Sequence, residues 1–184
     1  MRIAVSGTHC CGKSTLVAAF LRDHVDYAHE PEAYEALQDV LGEAFAAEPS
    51  AEDFYRQLEY HVARLAEHPQ DARVIFERCA VDYLAYLLAL ADLGRETADA
   101  GLAKRALTMT RDAVRKLDLI VFVRAEDDDA PESEDPELRR AVDARLEGLL
   151  VDDDLGMLAA GRPEVLEVFG RTAQRLCAIR ARLR

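Results

Sequence analysis

Ten residues near the start of the sequence, SGTHCCGKST from Ser6 to Thr15, constrain the fold more than any other stretch. They contain the pattern G-x-x-x-x-G-K-[ST], whose fixed positions are Gly7, Gly12, Lys13 and Ser14. A short apolar run precedes the pattern, and apolar residues at helical spacing follow it. A glycine loop between a strand and a helix turns its backbone N–H groups and the helix N-terminus toward phosphate oxygens. The sequence therefore predicts a strand, a phosphate-binding loop and a helix, in that order.

The fixed positions of this loop each have a chemical reason. Lys13 is predicted to reach the β- and γ-phosphates, and the hydroxyl of Ser14 is predicted to bind Mg²⁺. A turn that only joined a strand to a helix would need neither side chain, so we expect a nucleoside triphosphate as the ligand. The predicted nucleotide contacts are Gly7, Thr8, His9, Cys10, Cys11, Gly12, Lys13, Ser14 and Thr15.

Two adjacent cysteines, Cys10 and Cys11, lie among the variable positions of the loop. These positions contribute mainly backbone N–H groups, so we interpret both cysteines as compact residues that fit a tight loop. A helix N-terminus and the nearby Lys13 are expected to lower a thiol pKa, which leaves redox control as a second interpretation, ranked below packing. The four cysteines of the chain include no C-x-x-C pair and no zinc-binding spacing, so reduced thiols are expected.

Four more apolar stretches alternate with helical patterns along the rest of the chain. The central stretches are continuously apolar, which is typical of a parallel sheet covered on both faces. We therefore predict one α/β domain that spans residues 1–184, with neither a linker nor an internal repeat. The strands after the first are predicted at 26–29, 73–77, 118–123 and 164–170, and helices at 33–47, 51–67, 100–116 and 136–150, between 78 and Gly94, and after Gly170.

The net charge excludes some classes of function. At −12, with a pI near 4.8, the chain lacks the basic balance that nucleic-acid binding favours, so no nucleic-acid partner is expected. No apolar run approaches the roughly 20 residues of a membrane span, and the first residues lack a secretory signal pattern. We expect a cytoplasmic protein without a membrane partner.

Four segments together resemble the P-loop kinases and NTPases of the nucleoside and nucleotide kinase type, including the kinase-like AAA domain that phosphorylates ribosylnicotinamide. The segments are RIAVSGTHCCGKSTLV, FERCAVDYLAYLLAL, DLIVFV and VFGRTAQRL. The resemblance implies a three-layer α/β/α fold with a five-stranded parallel sheet ordered 2-3-1-4-5. It also implies ATP and Mg²⁺ as cofactors and a small-molecule acceptor as a partner, and it leaves a homodimer open. A loop that faces adenine should follow strand five, where Arg171 is the candidate nucleotide contact.

Charged residues end two of the predicted strands. Glu30 occurs in HEPEAY, and Glu77 and Arg78 occur in FERC. In deoxynucleoside kinases of this group, a Glu-Pro pair supplies the proton acceptor, and the resemblance assigns this role to Glu30. A solvated acid beside a turn is an equal alternative for Glu30. Because ligands of open α/β sheets bind at the carboxyl ends of the strands, Glu77 is predicted on the metal side and Arg78 on phosphate oxygens. Asp82 is interpreted as an acid favoured by a helix dipole alone.

A lid is implied after strand four, at about residues 124–140. Its sequence, EDDDAPESEDPELRR, places eight acids between Glu126 and Glu137. Cations for the transferring phosphoryl group should then come from Arg139 and Arg140, with Arg124 as a further candidate. The acidic run is interpreted as a solvated loop, and the alternative is that it faces a cationic acceptor.

A helical stretch, DFYRQLEYHVARL, resembles the substrate-binding helix of deoxynucleoside kinases. Tyr55 or Tyr60 and Gln57 are then the candidates that hold a base, although a stripe of this kind is more often part of a core.

Two functions fit these observations. The first is an ATP-dependent kinase, with Lys13, Glu30, Arg78, Arg139 and Arg140 as catalytic residues and Ser14 and Glu77 at the metal. The second is an NTPase or switch domain that hydrolyses ATP or GTP and acts through a protein partner. The chain has no Asn-Lys-x-Asp pattern, which disfavours a GTPase.

Overall fold

A five-stranded parallel sheet forms the centre of the protein. The computed structural model describes residues 1–41, 50–95, 100–124, 135–158 and 163–183. The sheet order is β2-β3-β1-β4-β5, and all four strand pairings are parallel. This confirms the predicted fold class and strand order. The strands are β1 (Arg2–Ser6), β2 (Ala28–Glu30), β3 (Val74–Glu77), β4 (Leu119–Val123) and β5 (Glu164–Val168).

Helices connect the strands where the apolar spacing predicts them. The predicted helix at 33–47 is observed as far as Leu41, and the rest of it lies outside the described residues. Within the described ranges, no helix is long and apolar enough to cross a membrane. The helices are α1 (Lys13–Asp23), α2 (Ala33–Leu41), α3 (Ala51–Glu67), α4 (Ala80–Asp92), α5 (Ala100–Val114), α6 (Pro136–Leu150) and α7 (Thr172–Arg182).

Helices cover both faces of the sheet, which explains why the central strands have apolar residues at consecutive positions. Ile3 and Val5 of β1 join α1 and α7 in one core cluster, whereas Ala4 joins α3, α4, α5 and α6 in the other. Successive residues of a strand point to opposite faces, so both faces must be apolar. The arrangement is the three-layer α/β/α architecture that the resemblance implies. The extent of the predicted domain, residues 1–184, stays a prediction.

A buried arginine fixes the strand that leads into the glycine loop. Arg2 is only 2% exposed, although it is charged. Its guanidinium donates to Gln70 Oε1 at 2.7 Å and to the backbone carbonyls of Leu65 and His68 at the end of α3. Its backbone N–H donates to Asp118 Oδ2 at 2.7 Å. These bonds satisfy carbonyls that a helix end leaves open, and they join β1 to α3.

The sheet register brings the predicted functional segments to one edge. Val5 pairs with Glu77, so β1 and β3 end side by side. The glycine loop continues from β1, and the Glu77-Arg78 pair ends β3. The carboxyl ends of parallel strands form the crevice where open α/β sheets bind ligands.

Candidate active site

The glycine loop packs so closely against β4 that its first position requires glycine. A Cβ on Gly7 would lie 2.6 Å from the carbonyl oxygen of Val123 and 2.7 Å from the Cys11 sulfur. At the other end of the loop, Gly12 has φ 89° and immediately precedes α1. The backbone N–H of Leu16 donates to the Gly12 carbonyl at 3.0 Å and begins the helix. Gly7 is therefore required because there is no room for a Cβ, and Gly12 is favoured because its φ is positive.

Lys13 is a buried cation at the start of α1. Its side chain is 5% exposed, and Nζ donates to the Thr8 carbonyl at 2.7 Å. Burial lowers the pKa of Lys13, and the neighbouring charge of Arg78 lowers it further. The hydroxyl of Thr8 is also buried and has no hydrogen-bond partner among the described residues. An anion at the loop would stabilise the ammonium group, so these residues fit a phosphate ligand.

Ser14, in the first turn of α1, and Glu77, at the end of β3, lie together. The Ser14 hydroxyl donates to Glu77 Oε1, and His29 Nε2 lies 3.9 Å from Glu77 Oε2. A hydroxyl and a carboxylate are hard oxygen ligands of the kind that Mg²⁺ prefers. Across the described ranges, His, Cys, Asp and Glu form no group of three that could hold a metal. Two protein oxygens fit a metal that takes its remaining ligands from water and substrate phosphates.

Arg78 follows β3 in a left-handed backbone conformation, with φ 70°. Its side chain is buried, and Nε donates to Glu32 Oε1. Nη1 contacts the Gly7 carbonyl at 3.4 Å, and the guanidinium lies 5.3 Å from the centre of the Tyr86 ring. Burial by itself would lower the pKa of Arg78, but the negative charge of Glu32 above all holds this pKa well above the ordinary value. Arg78 is therefore a fixed cation beside the loop, and its contact with phosphate oxygens stays a prediction.

Glu30 and Glu32 have different partners. Glu30 accepts hydrogen bonds from Arg64 Nη2 at 2.8 Å and Nε at 3.0 Å, and its Oε1 lies 2.7 Å from His68 Nε2. These contacts join β2 to α3. Burial would raise the pKa of Glu30, but Arg64 and His68 hold it below the ordinary value.

The carboxylate that contacts Arg78 is Glu32, two residues further along the chain. Burial opposes its charge, but Arg78 and Lys13 hold the pKa of Glu32 below the ordinary value. Sequence reasoning did not name Glu32, although HEPEAY carries this second acid in the same turn. The role of Glu30 as proton acceptor stays a prediction, and Glu32 is the carboxylate of this turn that contacts Arg78.

Asp82 contacts the loop, which the helix-dipole interpretation did not anticipate. Its carboxylate is completely buried. Oδ1 accepts from the Gly7 backbone N–H at 2.9 Å, and Oδ2 accepts from the Cys79 N–H at 2.8 Å. Burial raises the pKa of Asp82, and Arg78 opposes that effect.

An arginine of α7 contacts the loop, and it lies one helical turn after Arg171, the residue that the sequence predicts. Arg175 Nη1 donates to the Cys11 carbonyl at 2.8 Å. Arg171 is exposed, and its backbone N–H donates to Gln174 Oε1 at 2.8 Å, so it caps α7. The assignment of Arg171 to the nucleotide stays a prediction. Sequence reasoning missed Arg175 because Cys11 is 164 positions away.

The predicted lid lies mostly in residues 125–134, which are outside the described residues. Arg139 and Arg140 are in the first turns of α6, where their proposed contact with phosphate stays a prediction. Arg124 pairs with Glu147 at 3.1 Å and lies over the Phe122 ring.

The loop cysteines differ in exposure. Cys10 is exposed, and Cys11 is buried. Burial raises the pKa of the Cys11 thiol and outweighs the effect of Lys13. The expected lowering of a thiol pKa is therefore wrong for Cys11, because removal from water disfavours the thiolate.

The candidate base-binding residues lie on α3. Tyr55 and Gln57 are buried, and Tyr60 packs against the larger core cluster. The Tyr55 hydroxyl lies 3.5 Å from the Met109 sulfur. Phe54, beside them, stacks on Tyr86 with the ring centres 4.4 Å apart. These contacts are those of a core helix, and a substrate role for these residues stays a prediction.

Solved structures with the same fold include three nucleotide-related proteins. The NadR protein in complex with NR is 17% identical, with a TM-score of 0.65, and the alignment covers 98% of this chain and 50% of that one. This chain thus spans half the length of that NadR chain. Deoxyadenosine kinase from M. mycoides with bound dATP is 16% identical, with a TM-score of 0.61 and coverage of 100% and 99%. Thymidylate kinase from Candida albicans is 15% identical, with a TM-score of 0.68 and coverage of 99% and 90%.

A comparison with curated protein sequences gives no match. The sequence model of a family described as "AAA domain" matches residues 2–160. This match and the shared fold confirm the resemblance to P-loop nucleoside and nucleotide kinase-like NTPases. The chain belongs to the AAA domain family.

Proposed function

We propose that this protein is an ATP-dependent small-molecule kinase that transfers the γ-phosphoryl group of Mg-ATP to a hydroxyl or phosphate of a nucleoside-like or nucleotide-like acceptor. Lys13, Arg78 and Glu32 lie together beside the glycine loop, and this arrangement is the main support for the proposal. Two buried cations and one carboxylate at the carboxyl edge of the sheet suit a reaction between an anionic donor and a nucleophile. Two proteins that share the fold are a deoxyadenosine kinase and a thymidylate kinase, which supports the same reaction class.

Lys13 and the loop account for the phosphate donor. The ammonium group of Lys13 is held by the Thr8 carbonyl at 2.7 Å, and burial and the nearby charge of Arg78 lower its pKa. We propose that Lys13 turns to the transferring phosphate oxygens when the donor binds, because a charge-assisted bond to phosphate is stronger than a bond to a neutral carbonyl. The backbone N–H groups of the loop would bind the remaining oxygens.

Ser14 and Glu77 are the residues that would hold Mg²⁺. When bound, Mg²⁺ neutralises negative charge that develops on the phosphate oxygens. Glu77 accepts the Ser14 hydrogen bond, so it also fixes the orientation of the Ser14 hydroxyl group.

Glu32 is the residue we assign to the acceptor hydroxyl. Arg78 and Lys13 hold its pKa below the ordinary value, so it is ionised at neutral pH and can accept a hydrogen bond. A carboxylate with a low pKa is a weak base, but phosphoryl transfer depends mainly on positioning and on charge stabilisation. Glu32 therefore orients the nucleophile and receives its proton late in the reaction. Arg78, fixed by Glu32, would bind the transferring phosphoryl group.

The test is incubation with Mg-ATP and a panel of nucleosides, nucleotides and ribosylnicotinamide, with phosphorylated products followed by mass. We expect product on at least one acceptor, and a loss of product in Lys13→Ala. Lys104→Ala is the matched control, because Lys104 is an exposed lysine on α5. ATP consumption without product on any acceptor would instead support the NTPase or switch function, and no nucleotide binding would contradict both.

A further inference from the structure

Asp82 is a buried acid that the proposed reaction does not use. It lies in the first turn of α4 and is 0% exposed. One of its oxygens accepts from the Cys79 N–H, which is a common way for an acid to cap a helix. The other oxygen accepts a hydrogen bond at 2.9 Å from the backbone N–H of Gly7, which lies outside α4 and 75 positions away in sequence.

The two N–H groups that donate to this carboxylate belong to two different parts of the site. Gly7 begins the phosphate-binding loop, and Cys79 directly follows Arg78. Arg78 Nη1 lies 3.7 Å from Asp82 Oδ1, and it also contacts the Gly7 carbonyl. The Asp82 carboxylate thus reaches the loop and the Arg78 turn at the same time.

We propose that Asp82 is a positioning residue that sets the phosphate-binding loop relative to Arg78 before a nucleotide binds. The inference rests on the proposed function only in taking a nucleotide as the ligand of the loop. A carboxylate has an acceptor oxygen for each of the two N–H groups, whereas an asparagine would offer one oxygen and one NH₂ group. The amide would leave either Gly7 or Cys79 with a buried N–H that has no acceptor.

Asp82→Asn tests this role, and Asp92→Asn is the matched control. Asp92 lies at the other end of α4, where it pairs with Arg145 at the surface. In the nucleotide-free protein, we expect amide hydrogen exchange in residues 6–13 to be faster in Asp82→Asn and unchanged in Asp92→Asn. Loss of a buried hydrogen bond to a charged group should weaken ATP binding about tenfold or more.

The kinetic consequence separates positioning from general destabilisation. In the kinase assay, we expect Asp82→Asn to raise the KM for ATP by at least as large a factor as it lowers kcat, and to leave the KM for the acceptor near the wild-type value. Wild-type exchange in residues 6–13 together with a wild-type Kd for ATP would overturn the proposal.

Hydrogen exchange in the nucleotide-free protein tests the role of Asp82 independently of the kinase function. If the wild-type protein binds no nucleotide, the proposed function fails, and hydrogen exchange in the free protein still decides the role of Asp82. If Asp82→Asn does not fold, the scalar coupling between the Gly7 amide nitrogen and the Asp82 carboxyl carbon is measured by NMR in the wild-type protein. A detectable coupling supports the hydrogen bond, and its absence overturns the proposal.

Discussion

Replacement of Glu30 and Glu32 by glutamine, one at a time, should separate a structural carboxylate from a reactive one. Glu30 is held by Arg64 and His68, whereas Glu32 contacts Arg78 beside the loop. Each substitution removes one negative charge and keeps the shape of the side chain. We expect Glu30→Gln to lower stability with little effect on the rate of reaction, and Glu32→Gln to lower both stability and the rate of reaction.

The expected loss of stability for Glu30→Gln follows from its contacts. A hydrogen bond to a charged group contributes about 1.5–3 kcal/mol when buried. The Arg64 side chain is 34% exposed, so water replaces part of the interaction, and we expect a loss of about 1–2 kcal/mol. For a chain of this size, that corresponds to a decrease in Tm of about 2–8 °C. The control is Glu67→Gln, which removes the exposed partner of the same arginine and should cost less than about 1 kcal/mol.

We expect Glu32→Gln to lower both the free energy of unfolding and kcat more than Glu30→Gln does. The Arg78 side chain is 5% exposed, and loss of its charged partner should cost about 3 kcal/mol or more. With a hydroxyl acceptor from the panel, loss of the proton acceptor should lower kcat about 100-fold to 10,000-fold. Glu30→Gln should keep kcat within about tenfold of the wild-type value.

Thermal unfolding and steady-state kinetics on the same preparations measure both effects. A 100-fold loss of kcat in Glu30→Gln, together with a wild-type rate in Glu32→Gln, would rule out Glu32 as the proton acceptor. That result would assign the acceptor proton to Glu30, as the Glu-Pro resemblance implies.

Three further predictions concern pH, the loop and the first strand. Arg64 and His68 lower the pKa of Glu30 in the folded protein. The Glu30 contribution to stability should therefore be complete above pH 4.5, the ordinary pKa, and should disappear as the pH falls through the lower folded-state pKa. A difference in unfolding free energy between wild type and Glu30→Gln that persists near pH 2 would contradict this prediction. Gly7→Ala places a methyl group against the Val123 carbonyl and should weaken ATP binding about tenfold or more in calorimetry, whereas Gly94→Ala, which has open space and only a strained φ, should leave the Kd unchanged. Arg2→Met leaves carbonyls of α3 without their donor and should lower the free energy of unfolding in urea by about 2–3 kcal/mol, and a loss below about 1 kcal/mol would show that solvent replaces these bonds.

The sequence predicts those parts of the site whose signal is local. Gly7, Gly12, Lys13 and Ser14 belong to one short pattern, and the structure places them in one loop between β1 and α1. The central strands β3 and β4 are predictable because their apolar residues are continuous, and Glu77 is predictable because it ends β3.

The partners of the charged residues could not be predicted, because they depend on contacts between distant segments. Glu30 pairs with Phe76 in the sheet register, and this position directs its side chain to the face that α3 covers. A shift of one residue in β2 would turn the side chain to the other face. Asp82 and Arg175 reach the loop across 75 and 164 positions, and no local pattern records either contact.

The ratio of phosphorylated acceptor to ADP formed, with the acceptor from the panel at saturating concentration, distinguishes a kinase from an NTPase. A kinase transfers each γ-phosphoryl group to the acceptor, so we expect a ratio near one, with little inorganic phosphate released. A ratio near zero, with inorganic phosphate equal to ADP, would instead identify the protein as an NTPase.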